Sequence, residues 1–334
     1  MDDPVATKQT SSASWVQPGE VLVHVGPRKT GTTALQASLA LGDQSMRSLG
    51  YFLVPRNLQR ARATKGVIDP AKRSLWKSAL AELELRGDTG RGLISDESLH
   101  RFTPEQARRL IDDLGGSDRV RILITNRPLA KALPSLWQQH VKRGWMRQPL
   151  TEWIEMLLGD PENEIWREQR LDQYLQKWSL AVPEEQIAVL PLGYGPSDLL
   201  SDFEQLVGLP TSTLQRVRRN ESLSVQEAEM LRWRNSCLPE GRIATRNLKR
   251  PRGPETQHGA PIHLPMWARP QIDEIQDQVA RNVIEGQSYI IGGSDRLLLK
   301  PKIPSDVELS EAELELAKMA GRYVGTLLSE RIAK

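Results

Sequence analysis

The chain has 334 residues, of which 39% are hydrophobic, and its 45 Lys and Arg against 42 Asp and Glu give a formal net charge of +3. This balance is too mild to indicate nucleic-acid binding, and it suits a protein that holds a multiply anionic small molecule. A single cysteine, Cys237, excludes an intramolecular disulfide and a cysteine-based zinc site.

The N-terminal stretch predicts no packed structure. Residues 1–18 are rich in Ser, Thr, Gln and Asp without periodicity, so we expect a disordered tail followed by one domain over residues 19–334. The chain starts acidic and polar and has no long apolar run. We therefore expect neither a signal peptide nor a membrane span, with the cytoplasm as the default location.

The stretch Val21–Leu41 predicts a strand, a tight loop and a helix in one continuous run. Val21–Val25 is short, apolar and valine-rich, as are buried parallel strands. Gly26 and Gly31 bracket the loop, and the apolar spacing beyond it suits a helix packed on a sheet. The loop therefore ends at a helix N-terminus, where unpaired backbone N–H groups and the helix dipole favour an anion.

The same loop carries further groups that suit a phosphate. They are the ammonium of Lys29 and the hydroxyls of Thr30, Thr32 and Thr33. In the nucleoside triphosphate loop of the Walker type the Lys directly follows the second glycine, but here Thr32 holds that position and Lys29 lies inside the loop. The pattern is P-loop-like without being that of an ATPase.

Between the first helix and residue 106 the pattern predicts three elements and a helix start. Tyr51–Pro55 is a short extended segment, Lys72–Leu85 has the spacing of a core-packing helix, and Gly92–Ser95 is another strand. Thr103, followed by Pro104 and Gln106, has the pattern of a capped helix start.

Polar residues follow Gly92–Ser95 directly, where side chains of a parallel strand enter the crevice that binds ligands in α/β sheets. We predict Glu97 as a general base for a hydroxyl, with Asp96 and His100 as alternatives. The competing interpretation is that the acidic pair only caps or solvates a loop.

Val120–Thr125 predicts a further strand, and Arg127 follows it at the start of a helical stretch that contains Ser135. An Arg fork suits a phosphate, and hydrogen bonds to charged groups contribute roughly 1.5–3 kcal/mol each. Pro134 costs a hydrogen bond inside a helix, so we expect it to kink the helix or to delay its start.

These two regions resemble the cofactor motifs of sulfotransferases. The resemblance rests on PRKTGTT over residues 27–33, and on an Arg just after a strand with a Ser eight residues later. It implies that 3′-phosphoadenosine 5′-phosphosulfate is the sulfuryl donor and that no metal is required. The residues implied to bind its 5′-phosphosulfate are Arg28, Lys29, Thr30, Gly31, Thr32 and Thr33.

The resemblance also assigns individual roles. It implies that Lys29 stabilises charge on the leaving bridging oxygen and that Arg127 and Ser135 bind the 3′-phosphate. Cytosolic sulfotransferases carry a catalytic His at the end of the strand that corresponds to Gly92–Ser95. Other branches of the superfamily use a Glu as the base, and the resemblance implies that role for Glu97.

Later segments complete the predicted fold. Ile187–Leu192 predicts another central strand, and the recurring β-then-α order predicts a three-layer α/β/α, P-loop NTPase-like fold with a mostly parallel sheet. Capping boxes at Ser224 and Ser310 open two helices, the second running through Leu327 and docked on the outside of the sheet.

The stretch Gly241–Pro270 is basic and rich in Pro and Gly, which predicts a long loop or lid. In sulfotransferases a late basic loop touches the 3′-phosphate, so the resemblance implies that role for Arg252.

The roles of two histidines and of one group of tryptophans each have two interpretations. His24 is either a core histidine or close to the site, and His140 either a surface residue or a catalyst; the five histidines predict no metal cluster. The tryptophans between Trp145 and Trp178 form either core packing or an aromatic wall for an acceptor.

The combined prediction is transfer of a sulfuryl group from the phosphosulfate to an acceptor hydroxyl of a glycan, glycolipid or small-molecule alcohol. The sequence does not predict the oligomeric state. One alternative is a P-loop kinase of a small metabolite that uses ATP and Mg²⁺. Another is an inactive fold that binds a nucleotide and a protein partner.

Overall fold

The computed structural model describes residues 14–54, 63–85, 87–195, 198–217, 222–238, 260–304 and 309–333. Within these ranges six strands form a single sheet. The strands are β1 (Val21–Val25), β2 (Tyr51–Leu53), β3 (Arg91–Ser95), β4 (Val120–Asn126), β5 (Ile187–Pro191) and β6 (Tyr289–Ile290).

The sheet is parallel throughout its described pairs, and its strand order is β2-β3-β1-β4-β5-β6. β1 is therefore central, with His24 opposite Ser95 of β3 and Val25 opposite Ile124 of β4. The chain adds strands first on one side of β1 and then on the other. That reversal places a ligand crevice beyond the carboxyl ends of β3, β1 and β4.

Helices cover both faces of the sheet. The described helices are α1 (Thr32–Leu41), α2 (Asp43–Ser48), α3 (Arg73–Glu84), α4 (Pro104–Asp113), α5 (Leu129–Lys142), α6 (Leu150–Gly159), α7 (Glu164–Gln169), α8 (Leu171–Ser179), α9 (Leu199–Val207), α10 (Val225–Ser236), α11 (Arg269–Ile284) and α12 (Glu311–Ala333).

The alternation of side chains along β1 explains the two cores. Val21, Val23 and Val25 point to one face, where they pack with apolar residues of α3, α4, α8 and α11. Leu22 points to the other face and packs with residues of α1, α2 and α9. Burial on both faces accounts for the continuous apolar run of the strand. The predicted three-layer α/β/α fold with a parallel sheet is confirmed.

Residues 14–18 belong to the packed structure, so the predicted disordered tail over 1–18 is wrong for this part. Val16 is fully buried, its carbonyl accepts a hydrogen bond from Arg91 Nε at 2.9 Å, and the Trp15 N–H donates to the Leu206 carbonyl at 3.0 Å. Burial of the apolar Trp15 and Val16 side chains orders this segment although the residues around them are polar. Residues 1–13 lie outside the described residues.

The C-terminal helix α12 packs parallel to α10 rather than on the sheet, which corrects the predicted docking. A Cβ built on Gly321 would lie 2.3 Å from the Met230 carbonyl oxygen, and one on Gly325 would lie 2.8 Å from that of Arg234. Two glycines one turn apart therefore let the backbones of α10 and α12 touch. The predicted capping box forms, with the Glu313 N–H donating to Ser310 Oγ at 3.3 Å, and the helix continues past Leu327 to Ala333.

The predicted loop over residues 241–270 ends earlier than expected. A 3-10 turn at Met266–Ala268 leads into α11 at Arg269, so residues 266–270 are helical. Residues 241–259, with Arg252, lie outside the described residues. Among the helices that the structure describes, none has the length and apolar character to span a bilayer.

Candidate functional site

The site begins at the loop between β1 and α1, which crosses very close to β4. A Cβ at Gly26 would lie 2.4 Å from Thr125 Oγ1 and 2.9 Å from the Thr125 carbonyl oxygen, so only glycine fits without displacing backbone. The hydroxyl of Thr30 donates to the Pro27 carbonyl at 2.7 Å and lies 3.1 Å from Thr125 Oγ1. These contacts hold the loop against the carboxyl ends of the two central strands.

The backbone of the loop is left-handed at two positions. Lys29 has φ 71° and Gly31 has φ 85°, and a non-glycine residue in this region is uncommon. A residue in such a conformation costs about 1–3 kcal/mol, and residues of this kind cluster at functional sites, where the surrounding structure imposes the conformation. Here it turns the chain so that α1 starts at Thr32, with Gly31 as its N-cap and no side chain capping this end of the helix.

Among the predicted loop ligands, the side chains differ in where they point. Thr30 and Thr32 are buried, and Thr33 is partly exposed. Arg28 is only 7% exposed, and its Nε–H donates to Nε2 of His100 at 3.1 Å. The Arg28 side chain therefore links the loop to the turn after β3.

The turn after β3 separates the three candidate bases. Asp96 is buried, and its carboxylate accepts from the Ser98 N–H at 2.8 Å and from the Thr64 hydroxyl. Burial raises the pKa of Asp96. Asp96 thus acts as the cap of the 3-10 turn Glu97–Arg101, which matches the capping interpretation for this member of the acidic pair.

His100 is also engaged on both ring nitrogens. Nε2 accepts from Arg28, and Nδ1 lies within hydrogen-bond distance of the Glu97 carbonyl oxygen, to which it must donate. This arrangement requires the neutral imidazole with its proton on Nδ1. Glu97 is left as the partly exposed carboxylate of the turn, and it lies close enough to Lys29 for its charge to raise the pKa of that lysine.

The end of β4 contributes the second group of predicted residues. Arg127 is partly exposed, and burial lowers the pKa of its guanidinium. α5 begins two residues later at Leu129, so Pro134 lies inside the helix and does not delay its start. Ser135 follows on the same helix and is partly exposed.

Several cations converge on Lys29. Its pKa is lowered first by burial and then by the charges of Arg127 and Arg143, with only Glu97 acting in the opposite direction. Burial and Arg127 likewise lower the pKa of Lys131, whose Nζ donates to the Gly193 carbonyl at 2.9 Å. In the described part of the chain no carboxylate forms an ion pair with these four cations. A multiply charged anion would remove their mutual repulsion.

Arg143 is a residue that the sequence analysis did not assign. It follows the last turn of α5, and its guanidinium lies 4.9 Å from the ring centroid of Trp145, which is 48% exposed. His140 lies 5.7 Å from the same ring, and burial followed by the charge of Arg143 lowers its pKa. The predicted core role holds for Trp153, Trp166 and Trp178, which are buried, while Trp145 is open to solvent.

Lys177 of α8 was also unassigned. Its Nζ donates to the His100 carbonyl at 2.7 Å and lies 4.3 Å from the ring centroid of Tyr174. Burial lowers the pKa of Lys177 to about 8. Lys177 therefore holds the backbone of the turn that carries Glu97.

His24 is a core histidine rather than a site residue. Its Nδ1 lies 2.7 Å from Ser95 Oγ, and its Nε2 lies 3.3 Å from Thr125 Oγ1. Burial lowers its pKa to about 3, so the ring stays neutral. The imidazole joins β3, β1 and β4 directly beneath the loop. Among the residues with described positions, no three His, Cys, Asp or Glu side chains group as metal ligands.

Comparison with known proteins gives little beyond this geometry. No family model matches the chain, and no curated protein matches it. One similar solved structure is a sulfotransferase from Alicyclobacillus acidocaldarius, with 16% identity and a TM-score of 0.37 over 63% of this chain and 89% of that one. Similarity at that level carries no argument about activity, so the functional argument rests on the residues of the site.

Proposed function

We propose that the chain is a sulfotransferase that moves a sulfuryl group from 3′-phosphoadenosine 5′-phosphosulfate to an acceptor hydroxyl. The observation that carries the proposal is the convergence of Lys29, Arg127 and Arg143, with Glu97 as the carboxylate beside them, at the carboxyl ends of the central strands. The motif resemblance supplies the identity of the anion, and the geometry supports a place for it.

The cationic groups form two sets, one for each charged end of the cofactor. Lys29 and the backbone N–H groups at the start of α1 face the 5′-phosphosulfate, with Thr33 the more accessible of the hydroxyls. Arg127 and Ser135 hold the 3′-phosphate. Arg28 contributes through the shape of the loop, because its side chain is engaged by His100. Arg252 stays a prediction for the same phosphate.

Glu97 acts as the general base. It accepts the proton of the acceptor hydroxyl while the acceptor oxygen forms a bond to sulfur and the bond between sulfur and the bridging oxygen breaks. Lys29 stabilises the negative charge that develops on that bridging oxygen, and 3′,5′-adenosine bisphosphate leaves. Positioning and electrostatic stabilisation supply the rate, as in phosphoryl transfer, and the step uses no metal.

The acceptor enters on the side of Glu97 and Arg143. The exposed face of Trp145 beside Arg143 offers an apolar surface for a ring or a sugar. This arrangement supports a glycan, glycolipid or small-molecule alcohol as the acceptor class.

Calorimetric titration tests the cofactor class. Without metal, 3′,5′-adenosine bisphosphate should bind and ATP with Mg²⁺ should not. Loss of one charge-assisted hydrogen bond in Arg127→Ala should raise the Kd about ten- to a hundredfold. Arg167→Ala is the matched control, because the Arg167 side chain is 65% exposed and its ion pair is with the exposed Glu162.

Turnover then tests the chemistry. With labelled phosphosulfate and a panel of hydroxyl acceptors, Lys29→Ala and Glu97→Gln should lower kcat far more than they lower the affinity for the bisphosphate. Binding of ATP with Mg²⁺ in place of the bisphosphate would favour the kinase. Bisphosphate binding with no sulfated product from any acceptor would favour an inactive nucleotide-binding fold.

A further inference from the structure

The segment that carries Arg127 joins the end of β4 to the start of α5. Arg127 and Pro128 are the two residues between these elements. Pro128 is the N-cap of α5, and its ring offers no hydrogen bond to the helix. Because the first backbone N–H groups of a helix have no partner within it, a partner for them must come from another part of the chain.

Gln276 of α11 supplies that partner. Its Oε1 accepts from the Leu129 N–H at 3.0 Å, and its Nε2 donates to the Tyr194 hydroxyl at 3.0 Å. Tyr194 follows β5, and its hydroxyl donates in turn to Oδ1 of Asn126 at 2.5 Å. Gln276, Tyr194 and Asn126 thus form a continuous row of hydrogen bonds, here called the Gln276 bridge. The bridge connects the first residue of α5 to the last residue of β4.

Most of the Gln276 bridge is closed to water. Tyr194 is 1% exposed and Asn126 is 2% exposed, whereas Gln276 is partly exposed. Where water is excluded, removal of one polar side chain leaves the buried polar atom of its neighbour without a partner. The orientation of each side chain in the bridge therefore depends on the other two.

The loop after β5 holds the same segment through two further hydrogen bonds. The Asn126 carbonyl accepts from the Leu192 N–H at 2.8 Å. Lys131, in the first turn of α5, donates through Nζ to the Gly193 carbonyl at 2.9 Å. The backbone of Arg127 therefore lies between neighbours that are fixed on both sides.

We propose that Gln276 and Tyr194 are positioning residues for Arg127, which they hold where its guanidinium meets the 3′-phosphate of the donor nucleotide. This role rests on the proposed function, in which Arg127 binds that phosphate. Among the described residues no ion pair holds the guanidinium, so its side chain starts from the backbone that the bridge fixes. The guanidinium binds a phosphate through directed hydrogen bonds, which a displaced backbone weakens. The bridge thereby sets how strongly the protein prefers a nucleotide with a 3′-phosphate.

Calorimetric titration with two nucleotides tests this role. The 3′,5′-bisphosphate of adenosine carries the phosphate in question, and adenosine 5′-monophosphate lacks it. If Arg127→Ala raises the Kd of the bisphosphate about ten- to a hundredfold, loss of half of that binding free energy corresponds to about three- to tenfold. Tyr194→Phe and Gln276→Leu should therefore raise the Kd of the bisphosphate about three- to tenfold and leave that of the monophosphate within about twofold. A role in folding alone would lower the unfolding midpoint without changing the ratio of the two affinities.

Matched controls use the same substitutions at exposed positions. Gln278→Leu changes an exposed glutamine of α11 whose amide donates to Asn282 of the same helix, and Tyr289→Phe changes a 50% exposed tyrosine. Neither control should change either affinity. Circular dichroism at the temperature of the titration checks that Tyr194→Phe is folded, and the partly exposed Gln276 supplies the test if it is not.

A double-mutant cycle shows whether Tyr194 acts through Arg127. In the Arg127→Ala background, Tyr194→Phe should cause no further loss of bisphosphate affinity, because the group that it positions is absent. Additive losses overturn the inference, and so does an unchanged ratio of affinities in both Tyr194→Phe and Gln276→Leu. If Arg127→Ala itself leaves the ratio unchanged, Arg127 does not bind the 3′-phosphate. In that case the assignment made under the proposed function fails, and the positioning role falls with it.

Discussion

Gly26→Ala is the substitution whose cost the structure specifies best. The new methyl group would meet Thr125 Oγ1 at 2.4 Å, Thr30 Oγ1 at 2.8 Å and the Thr125 carbonyl oxygen at 2.9 Å. Two of these atoms are hydroxyls that can rotate, but the third is backbone of β4. β1 and β4 must therefore move apart at the point where their ladder ends. Overpacking of this kind costs about 1–3 kcal/mol, and the backbone contact places Gly26→Ala toward the upper end.

The measurement is the free energy of unfolding from urea titration, together with the affinity for 3′,5′-adenosine bisphosphate. We expect a loss of about 2–3 kcal/mol in stability, and weaker binding because the displaced loop carries Lys29. Gly159→Ala is the control, since nothing lies within 4 Å of its Cβ position and its backbone is helical. It should be neutral or stabilising by up to about 1 kcal/mol.

A partial rescue adds a second check. Thr125→Ala removes the hydroxyl at 2.4 Å but keeps the carbonyl at 2.9 Å, so in the Gly26→Ala background it should recover only part of the lost stability. If Gly26→Ala unfolds and binds like the wild type, the close approach of the loop to β4 does not determine the loop conformation, and the reasoning fails.

Three further predictions concern charge. Burial lowers the pKa of His24 from 6.5 to about 3, so between these pH values the unfolded chain binds a proton that the folded chain does not. The free energy of unfolding should therefore fall by up to about 1.4 kcal/mol per pH unit as the pH drops below 6.5. Urea titrations at several pH values should show a smaller slope for His24→Asn. Asp113→Ala removes the carboxylate that accepts from Arg73 at 2.6 and 2.8 Å and from Trp76 Nε1 at 2.7 Å. It should cost about 2–3 kcal/mol in thermal or urea unfolding, which is more than Asp69→Ala should cost at its more exposed ion pair with Lys72. Burial and neighbouring cations lower the pKa of Lys29. The affinity for the bisphosphate, measured by calorimetry, should therefore decline at a lower pH than the ordinary pKa of a lysine would give. A Lys29→Arg variant that shows the same decline would contradict this explanation.

Much of the fold was predictable because local signals agreed with one another. The valine-rich run of β1, the bracketing glycines and the capping boxes at Thr103 and Ser224 all form as expected. Each of these signals lies within a few residues of chain and depends little on distant contacts. The parallel order of strands followed from their alternation with helices.

The remaining features depend on packing between distant segments. Arg143 and Lys177 reach the site only through the placement of α5 and α8, which no local pattern reveals. The polar residues around Trp15 and Val16 led to the prediction of a disordered tail, because the composition of the segment gave no sign that this pair is packed. For α12 a signal was present, since glycines four residues apart permit close helix contact, but the sequence does not say which helix provides the partner.

The imidazole of His100 joins two parts of the site that come from different strands. It accepts from Arg28 of the loop after β1 and holds the Glu97 carbonyl in the turn after β3, while Lys177 fixes its own backbone. We therefore expect thermal displacements of the loop and of the turn to be correlated. The separation between the Lys29 ammonium and the Glu97 carboxylate should fluctuate less than the position of either group, which would keep the leaving-group stabilisation and the proton acceptance that we propose for them in register.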